Sequence, residues 1–464
     1  MTLKDVLRYG VLIVCTAQGV SAFAQVSAVN SPPAPASNAS DSLADTAHGE
    51  TEERFAAHGQ MTFVEQATAP FHDPYSGANS LSPGVGAETF DLTLFLGARL
   101  WSGAELWINP EIDQGFGLDG TLGLAGFPSG AAYKVGRSHP YWRLPRLFIR
   151  QTVNLSGASE KIEADANQFA EHPSANRWVF TIGKLAVPDI FDANDYAHDP
   201  RHDFLNWTAI DAGTFDYAAE SWGYSVGAAA EWYQGQWTLR AGVFDLSSVP
   251  NSEVLDPGFH EFELLGELEH RHELGDQPGK LAITVYDNRA RMALLRDAID
   301  LAALSGENIN DALVSVREYR SRAGVSLDLQ QQLKDDLGLF ARAGKAGGNV
   351  EIYEFTDVDQ SISAGLSLKG KRWERTDDTV GIAGIINTIS GIRERYLNDG
   401  GLGLLIGDGK LPHPGPEQIA ETYYAWGLRS WAQLTLDYQY VINPAYNSDR
   451  GPVSIFAVRV HAQF

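Results

Sequence analysis

The chain has 464 residues, of which 44% are hydrophobic and 20% are charged, and its formal net charge is −24. This acidic balance argues against nucleic acid as a partner, because phosphate binding needs a basic surface. After the first thirty residues, no stretch stays apolar over the ~20 residues that a transmembrane helix needs. A nucleic-acid-binding protein and a helical membrane protein are therefore both disfavoured.

Residues 1–24 have the features of a secretory signal peptide. Lys4 and Arg8 give a positively charged start, residues 11–20 are mostly apolar, and a small-x-small cleavage site follows. We therefore expect the mature protein to begin at Gln25 and to leave the cytoplasm.

The next segment, residues 25–52, is predicted to be a disordered periplasmic leader. It is rich in Ala, Ser, Asn and Pro, and such a segment cannot bury enough apolar surface to offset its ordering entropy. The single cysteine, Cys15, lies within the signal, so the mature chain would have no disulfide to stabilise it. Residues 53–464 are then expected to form one domain.

From residue 53 onwards, apolar and polar residues alternate over segments of about ten residues, as in transmembrane β-barrels. In the last segment the apolar residues are Phe456, Val458, Val460, Ala462 and Phe464, and the polar ones are Arg459, His461 and Gln463. In a strand this alternation places the two kinds of side chain on opposite faces. One such strand also fits a soluble sandwich, but the repetition favours a barrel in a membrane.

In chain order, strands are predicted near 54–68, 87–102, 104–113, 145–155, 176–187, 222–233, 236–246, 260–273, 279–288, 316–328, 335–344, 360–369, 379–391, 418–428, 431–442 and 453–464. Tight turns alternate with long loops near 70–86, 114–144, 188–221, 289–315 and 392–417. The fold class is therefore all-β, a transmembrane antiparallel barrel of about 16 strands with short periplasmic turns and long extracellular loops. We expect the first and last strands to pair and close it.

Two segments do not fit this simple plan. Residues 156–175 should form a periplasmic turn, but they are too long for one and look polar and helical. Residues 289–305 have apolar residues at helical spacing, which predicts a loop helix packed on the barrel mouth.

The pore lining is predicted from strand phase alone. An arginine in mid-membrane on the lipid face costs roughly 2–4 kcal/mol, so strand arginines belong in the lumen. The predicted pore-lining residues are Arg150, Arg240, Arg320, Arg322, Arg342 and Arg459, with Glu267 and Asp437 on the same face. The alternative is that these residues form lumen salt bridges that only hold the barrel wall.

The loop at 114–144 is glycine-rich and could fold inwards, where Trp142 would stack on a sugar ring. The alternative is an exposed loop with Trp142 in the aromatic girdle at the lipid–water boundary. In the loop at 188–221, His198 and His202 lie close to several aspartates. Their spacing fits no established zinc pattern, so neither a metal nor another cofactor is predicted.

Three stretches of the sequence resemble the carbohydrate-selective porins of the OprB type. They are residues 443–453 before the last strand, residues 223–227 with 242–246, and His58-Gly59-Gln60 followed by residues 75–81. The resemblance implies an outer-membrane barrel of sixteen strands with inward-folded loops, through which monosaccharides diffuse. The expected partners are therefore small sugars, outer-membrane lipid and lipopolysaccharide.

Further expectations concern assembly and rival functions. A C-terminal aromatic residue such as Phe464 is the address that the barrel-assembly machinery reads, and a homo-oligomer is possible. A channel for anionic sugars or other small acids, and a barrel without a channel that acts as receptor or adhesin, remain alternatives. An enzyme is not expected, because serine and histidine residues occur singly, without an evident pairing of a nucleophile with a base.

Overall fold

The computed structural model describes residues 53–464, and these residues form one unit. The predicted signal peptide at 1–24 and leader at 25–52 lie outside the described residues and stay predictions. None of the helices between residues 53 and 464 combines the length and the apolar character that crossing a membrane requires.

Every predicted strand is present. The strands are β1 (Phe55–Thr68), β2 (Gly86–Trp101), β3 (Ala104–Gly115), β4 (Arg137–Ser159), β5 (Ser174–Leu185), β6 (Ser225–Gln234), β7 (Trp237–Asp245), β8 (Phe262–Leu274), β9 (Gln277–Met292), β10 (Glu318–Lys334), β11 (Leu337–Ala346), β12 (Gln360–Lys369), β13 (Thr379–Thr388), β14 (Glu417–Arg429), β15 (Ala432–Ile442) and β16 (Val453–Gln463). Each pairs antiparallel with its neighbours in sequence, and together they form a closed barrel.

The barrel closes between its first and last strands, as expected. In the register of β1 and β16, Phe63 lies opposite Val460. Beyond this ladder, Gly59 and Phe464 exchange both backbone hydrogen bonds, at 2.7 and 2.8 Å. A Cβ on Gly59 would lie 2.6 Å from the Phe464 ring, so only glycine leaves room for the terminal aromatic residue. Closure pairs the backbone groups of both edge strands, which a strand in lipid requires.

The two faces of the wall differ as the alternation predicts. Large apolar side chains such as Ile182, Ile362 and Phe456 are exposed on the outside. Polar side chains such as Thr93 and Glu111 are buried inside the barrel. The wall thus has an apolar outer face and many polar side chains on its inner face.

Connections of different length sort to the two ends of the barrel. One end carries the long loops 69–85, 116–136, 186–224, 246–261, 293–317, 347–359, 389–416 and 443–452. The other end carries the connections 102–103, 160–173, 235–236, 275–276, 335–336, 370–378 and 430–431. We call these the long-loop end and the short-turn end.

The α-helices of the described chain all lie in long loops. They are α1 (Trp207–Ile210), α2 (Leu295–Ser305), α3 (Ile309–Ser315) and α4 (Gly391–Asn398). The predicted loop helix is α2, which packs against α3, whereas residues 289–292 belong to β9.

The prediction of a helix at 156–175 is wrong. Strand β4 continues to Ser159, and residues 160–173 form a narrow hairpin that we call the strap. Ile162 and Glu171 exchange backbone hydrogen bonds at 2.9 and 3.0 Å, and Asp165 and Gln168 do so at 3.0 Å. The pairing of β4 with β5 therefore continues into the strap and supplies the hydrogen bonds that a helix would otherwise make.

Two long loops enter the barrel. Loop 116–136 buries Phe127, and loop 186–224 buries Phe204 and Trp207. The ring of Phe204 lies 5.4 Å from Phe340 and 5.0 Å from Tyr423, both of which project inwards from the wall. The apolar core of this protein thus lies inside the barrel, between the wall and its own loops.

Candidate functional site

Loop 186–224 is fastened to the wall formed by β10–β16, first of all through Arg342. Its guanidinium lies 2.8 Å from a carboxylate oxygen of Asp328 and 3.4 Å from one of Asp192. It also donates to the carbonyl of Ala209 at 2.9 Å. Burial raises the pKa of the loop residue Asp192 to about 6, against the effect of Arg342. Arg342 therefore joins the wall to the loop, and its charge is compensated there.

Arg322 makes a second fastening. It is fully buried, at 0% exposure, and lies 3.2 Å from Asp216 in the loop and 3.6 Å from Asp359. The same Asp216 carboxylate accepts the backbone N–H groups of Tyr353 and Glu354 at 3.0 Å each. One ion pair thus ties loops 186–224 and 347–359 to β10.

Arg459 on β16 makes the third. Its guanidinium donates to the carbonyl oxygens of Pro200, His202 and Asp203, at 2.5, 3.0 and 2.9 Å. A planar fork of donors suits such a set of carbonyls. The arginine phase was predicted correctly as inward, and here the inward side chain holds a loop.

Arg240 and Glu267 belong to a similar network on β7 and β8. Arg240 bonds Glu267 at 2.6 Å and Glu269 at 2.9 Å. Glu267 also accepts from the backbone of Asp192 at 2.8 Å. Asp437 on β15 is buried in the lumen and accepts from Gln439 at 3.3 Å.

The remaining predicted residues lie at the two ends or outside. Arg150 is at the short-turn end, where it donates to the carbonyl of Asn167 in the strap at 2.9 Å. Arg320 is at the long-loop end, 3.4 Å from Asp297 of α2.

Trp142 faces outwards. It is 71% exposed and lies opposite Ile112, which is exposed too. The neighbouring Arg143 has the opposite phase and contacts lumen residues. The prediction that Trp142 stacks on sugar in the pore is therefore wrong, because residues 137–144 form part of strand β4 instead of a loop.

On the opposite wall, β3 carries polar side chains that the loops leave free. Glu111 and Asp113 point into the lumen, and both are buried. Both carboxylate oxygens of Asp113, and Oε1 of Glu111, have no hydrogen-bond partner among residues 53–464. Buried polar atoms without protein partners indicate a place for water or a polar solute.

Arg143 on β4 completes this wall. It lies 3.6 Å from Asp113 and 3.8 Å from Glu220 of loop 186–224. Its two terminal nitrogens make no hydrogen bond within the described chain, so several donors remain free. We call Glu111, Asp113, Arg143 and Glu220 the lumen cluster.

Aromatic rings surround the Arg143 guanidinium. The centre of the Trp222 ring is 4.6 Å away, that of Tyr224 5.3 Å and that of Tyr133 5.7 Å. Cation–π contacts of this kind hold a guanidinium without using its N–H donors. The cluster is thus enclosed by β3, by β4 and by the two inward loops.

An aromatic cavity of about 60 Å³ lies beside the lumen cluster, and its lining includes Tyr133 and Trp222, which also surround the Arg143 guanidinium. Its wall includes Trp207, whose ring stacks on Phe127 at 5.0 Å and lies 5.6 Å from Tyr217. The Trp207 indole N–H has no partner in residues 53–464. Flat apolar rings and a free donor therefore meet at this point.

The comparison with protein families decides what this barrel is. The family model described as carbohydrate-selective porin, OprB family, matches residues 78–464. The chain belongs to this family. It is an outer-membrane porin, and its long-loop end is extracellular and its short-turn end periplasmic.

A solved porin shares the fold. The high-pH structure of OprB from Pseudomonas putida is 15% identical, with a TM-score of 0.66, and the match covers 89% of this chain and 94% of that one. The outer membrane channel DcaP of Acinetobacter baumannii is 10% identical, with a TM-score of 0.48 and coverage of 88% and 97%. No curated protein matches the chain.

For this porin, sequence reasoning missed most of the lumen cluster. Glu111, Ile112 and Asp113 alternate clearly, but strand β3 was expected to end at residue 113 and in fact continues to Gly115. Pro140 and Pro145 interrupt the start of β4, and proline donates no ladder hydrogen bond. The signal that could have found Arg143 is its phase, one residue after the outward-facing Trp142.

Proposed function

We propose that small neutral sugars such as monosaccharides diffuse through this porin past the lumen cluster, which selects them. The single observation that supports this best is the set of buried polar atoms on Asp113 and Arg143 that make no hydrogen bond within the described residues and lie beside aromatic rings. Both side chains are held at fixed positions on paired strands, so the solute meets a preformed surface.

The chemistry of the cluster suits sugar hydroxyls. A sugar hydroxyl both donates and accepts hydrogen bonds. A carboxylate beside a guanidinium can therefore accept from one hydroxyl of a diol while the guanidinium donates to the other. The flat faces of Trp222 and Tyr133 suit the apolar C–H faces of a pyranose ring. Because each hydrogen bond between the sugar and the cluster replaces a hydrogen bond between the sugar and water, binding stays weak enough for release on the other side.

The charges favour a neutral solute over an anionic one. Within the cluster, three carboxylates face one guanidinium, and nearby Lys184 lies 3.4 Å from Glu220. Arg201 is likewise paired, 3.3 Å from Asp91. A channel for acids would need a surplus of positive charge here, and these cations lie beside carboxylates.

In this proposal the predicted lumen arginines act indirectly. Arg240, Arg322, Arg342 and Arg459, with Glu267, seat the loops that form one side of the path, and Asp437 belongs to the same wall. Ala variants at these positions should therefore disturb loop placement first and selectivity as a consequence.

We also expect the porin to have no catalytic activity and to contact outer-membrane lipid and lipopolysaccharide through its apolar outer face. Recognition of Phe464 by the barrel-assembly machinery is supported by its exposed ring at the strand end. A homo-oligomer stays a prediction.

The test is a planar-bilayer titration of glucose against the ion current of single channels. Wild type should show saturable block, and Arg143→Gln and Asp113→Asn should each weaken it by about tenfold, as expected for losing a charged hydrogen bond. Arg372→Ala is the matched control, because Arg372 pairs with Asp336 at 2.6 Å on an exposed periplasmic connection. Absence of sugar block in wild type, together with no liposome swelling in glucose, would refute the proposal.

A further inference from the structure

The strap, residues 160–173, turns into the barrel and not away from it. Its deepest side chain, Phe169, is 0% exposed. The Phe169 ring lies 5.1 Å from Trp107, an inward-facing residue of β3, and the Arg99 guanidinium lies 4.6 Å above it. A turn that only joined β4 to β5 would have no reason to bury a phenylalanine against the lumen wall.

Two arginines hold the strap in this position. Arg150 of β4 donates to the carbonyl of Asn167 at 2.9 Å, and Arg99 of β2 donates to that of Ala170 at 2.9 Å. Both bonds run from the barrel wall to the strap backbone, so they fix its position whatever its side chains are. The predicted pore-lining Arg150 is thus a fastener of the strap.

A line of free polar atoms runs down β3 from the lumen cluster to the strap. Below Glu111, both polar atoms of the Asn109 side chain and Oε1 of Glu105 make no hydrogen bond in the described part of the chain, and this Oε1 lies 3.8 Å from Arg99. On the strap itself, Oδ1 of Asn167 is also buried without a partner in the same residues. These buried atoms form a row along β3 that ends against the strap, and buried polar atoms without hydrogen bonds indicate places for water.

We propose that the strap forms a second constriction at the periplasmic exit of the pore and sets the upper size of the sugars that pass. This inference rests on the proposed function of the lumen cluster. Glu111 and Glu105 are about 20 Å apart along the strand, so a monosaccharide meets the two constrictions in turn. A longer oligosaccharide meets both constrictions at once, so it must fit beside Phe169 while its other end is still bound at the lumen cluster.

The first experiment labels the strap tip with a thiol reagent. Ala166→Cys is made together with Cys15→Ser, so that it is the only cysteine, and Thr376→Cys in the same background is the matched control. Thr376 is exposed on the other extended periplasmic connection, 370–378. Adding a methanethiosulfonate with a charged sulfonate group to the periplasmic side should lower the conductance of the Ala166 variant by about half and leave the control unchanged. Unaltered conductance in both would overturn the second constriction.

The second experiment removes the ring. Phe169→Ala keeps both backbone fastenings and should raise the liposome swelling rate in a trisaccharide several-fold relative to that in a monosaccharide. Its glucose block should equal that of wild type, because the lumen cluster is intact. An unchanged size preference in a correctly folded Phe169→Ala protein would overturn the proposal. If that variant does not assemble, the labelling result decides alone. Failure of the proposed function is distinguishable, because it is seen as missing glucose block in wild type.

Discussion

The two sides of the lumen use the same kinds of residue for different purposes. On the β10–β16 wall, arginines such as Arg322 and Arg459 are surrounded by partners that the inward loops supply. On the β3–β4 wall, the terminal nitrogens of Arg143 and the carboxylate oxygens of Asp113 make no hydrogen bond within the described residues, although Arg143 lies 3.6 Å from Asp113 and 3.8 Å from Glu220. Facing the lumen is therefore not the same as lining the pore. An inward-facing residue anchors a loop when loop residues make its hydrogen bonds, and it lines the pore when those hydrogen bonds are left to water.

The comparison also explains why this barrel contains an apolar core. Loop 186–224 buries rings such as Phe204 against the β10–β16 side. The guanidinium groups compensate the carboxylates and carbonyls that this loop brings with it. One half of the lumen thus resembles the interior of a soluble protein, and the other half stays available to solute. The following predictions test this division.

The largest effect is expected for Arg322→Ala. The change would leave Asp216 and Asp359 buried without their cation, and removing one partner of a buried pair costs about 3–5 kcal/mol. Arg320→Ala is the matched control two residues away, because its pairs with Asp297 and Glu318 lie at the rim and such exposed pairs contribute ~0–1 kcal/mol. Urea unfolding in detergent, followed by heat-modifiable migration, measures both. Equal losses would contradict the division into anchoring and exposed arginines.

A smaller loss of stability is expected for Arg459→Lys. Lysine keeps the charge but lacks the planar fork that reaches the carbonyls of Pro200, His202 and Asp203. The free energy of unfolding should fall by about 1–3 kcal/mol, and single-channel current should become noisier as loop 186–224 loosens. A quiet channel of wild-type stability would mean that this arginine does not hold the loop.

On the other wall, Arg143→Gln and Asp113→Asn should change ion selectivity and leave assembly intact. Loss of the guanidinium should shift the reversal potential in a salt gradient towards cations, and loss of the carboxylate should shift it towards anions. The effect should be largest at low salt, since screening weakens it. Shifts of the same sign in both variants would show that neither side chain faces the path of the ions.

The smallest expected effect concerns pH. Burial raises the pKa of the loop residue Glu220 above 4.5, against the effect of Arg143 and Lys184. Acidification therefore removes this negative charge at a higher pH than for an ordinary glutamate, and ion preference should move towards anions as the pH falls. Glu220→Gln should show less of this change, measured as reversal potential against pH. An identical pH profile in the variant would exclude Glu220 as its source.

Individual strands show how much of the structure follows from local sequence pattern. Every strand was predicted because the side-chain period of two is a local property, and β12 was predicted with its observed bounds, 360–369. The start of β4 was missed, and with it the difference between Trp142 and Arg143. The strap was missed for a similar reason, since its polar residues carry no period and its hairpin extends the pairing of the flanking strands.

The sequence by itself determined the strand number, the closure of β16 on β1 and the inward phase of the arginines. These follow from alternation and from the cost of a charge in lipid, which need no knowledge of distant residues. Only the tertiary structure decided which inward groups are free. A terminal nitrogen of Arg342 donates to the carbonyl of Asp192, 150 positions away in the chain, whereas the terminal nitrogens of Arg143 make no hydrogen bond in the described residues. Such long-range pairing depends on where the loops fold, and strand periodicity contains no information about that.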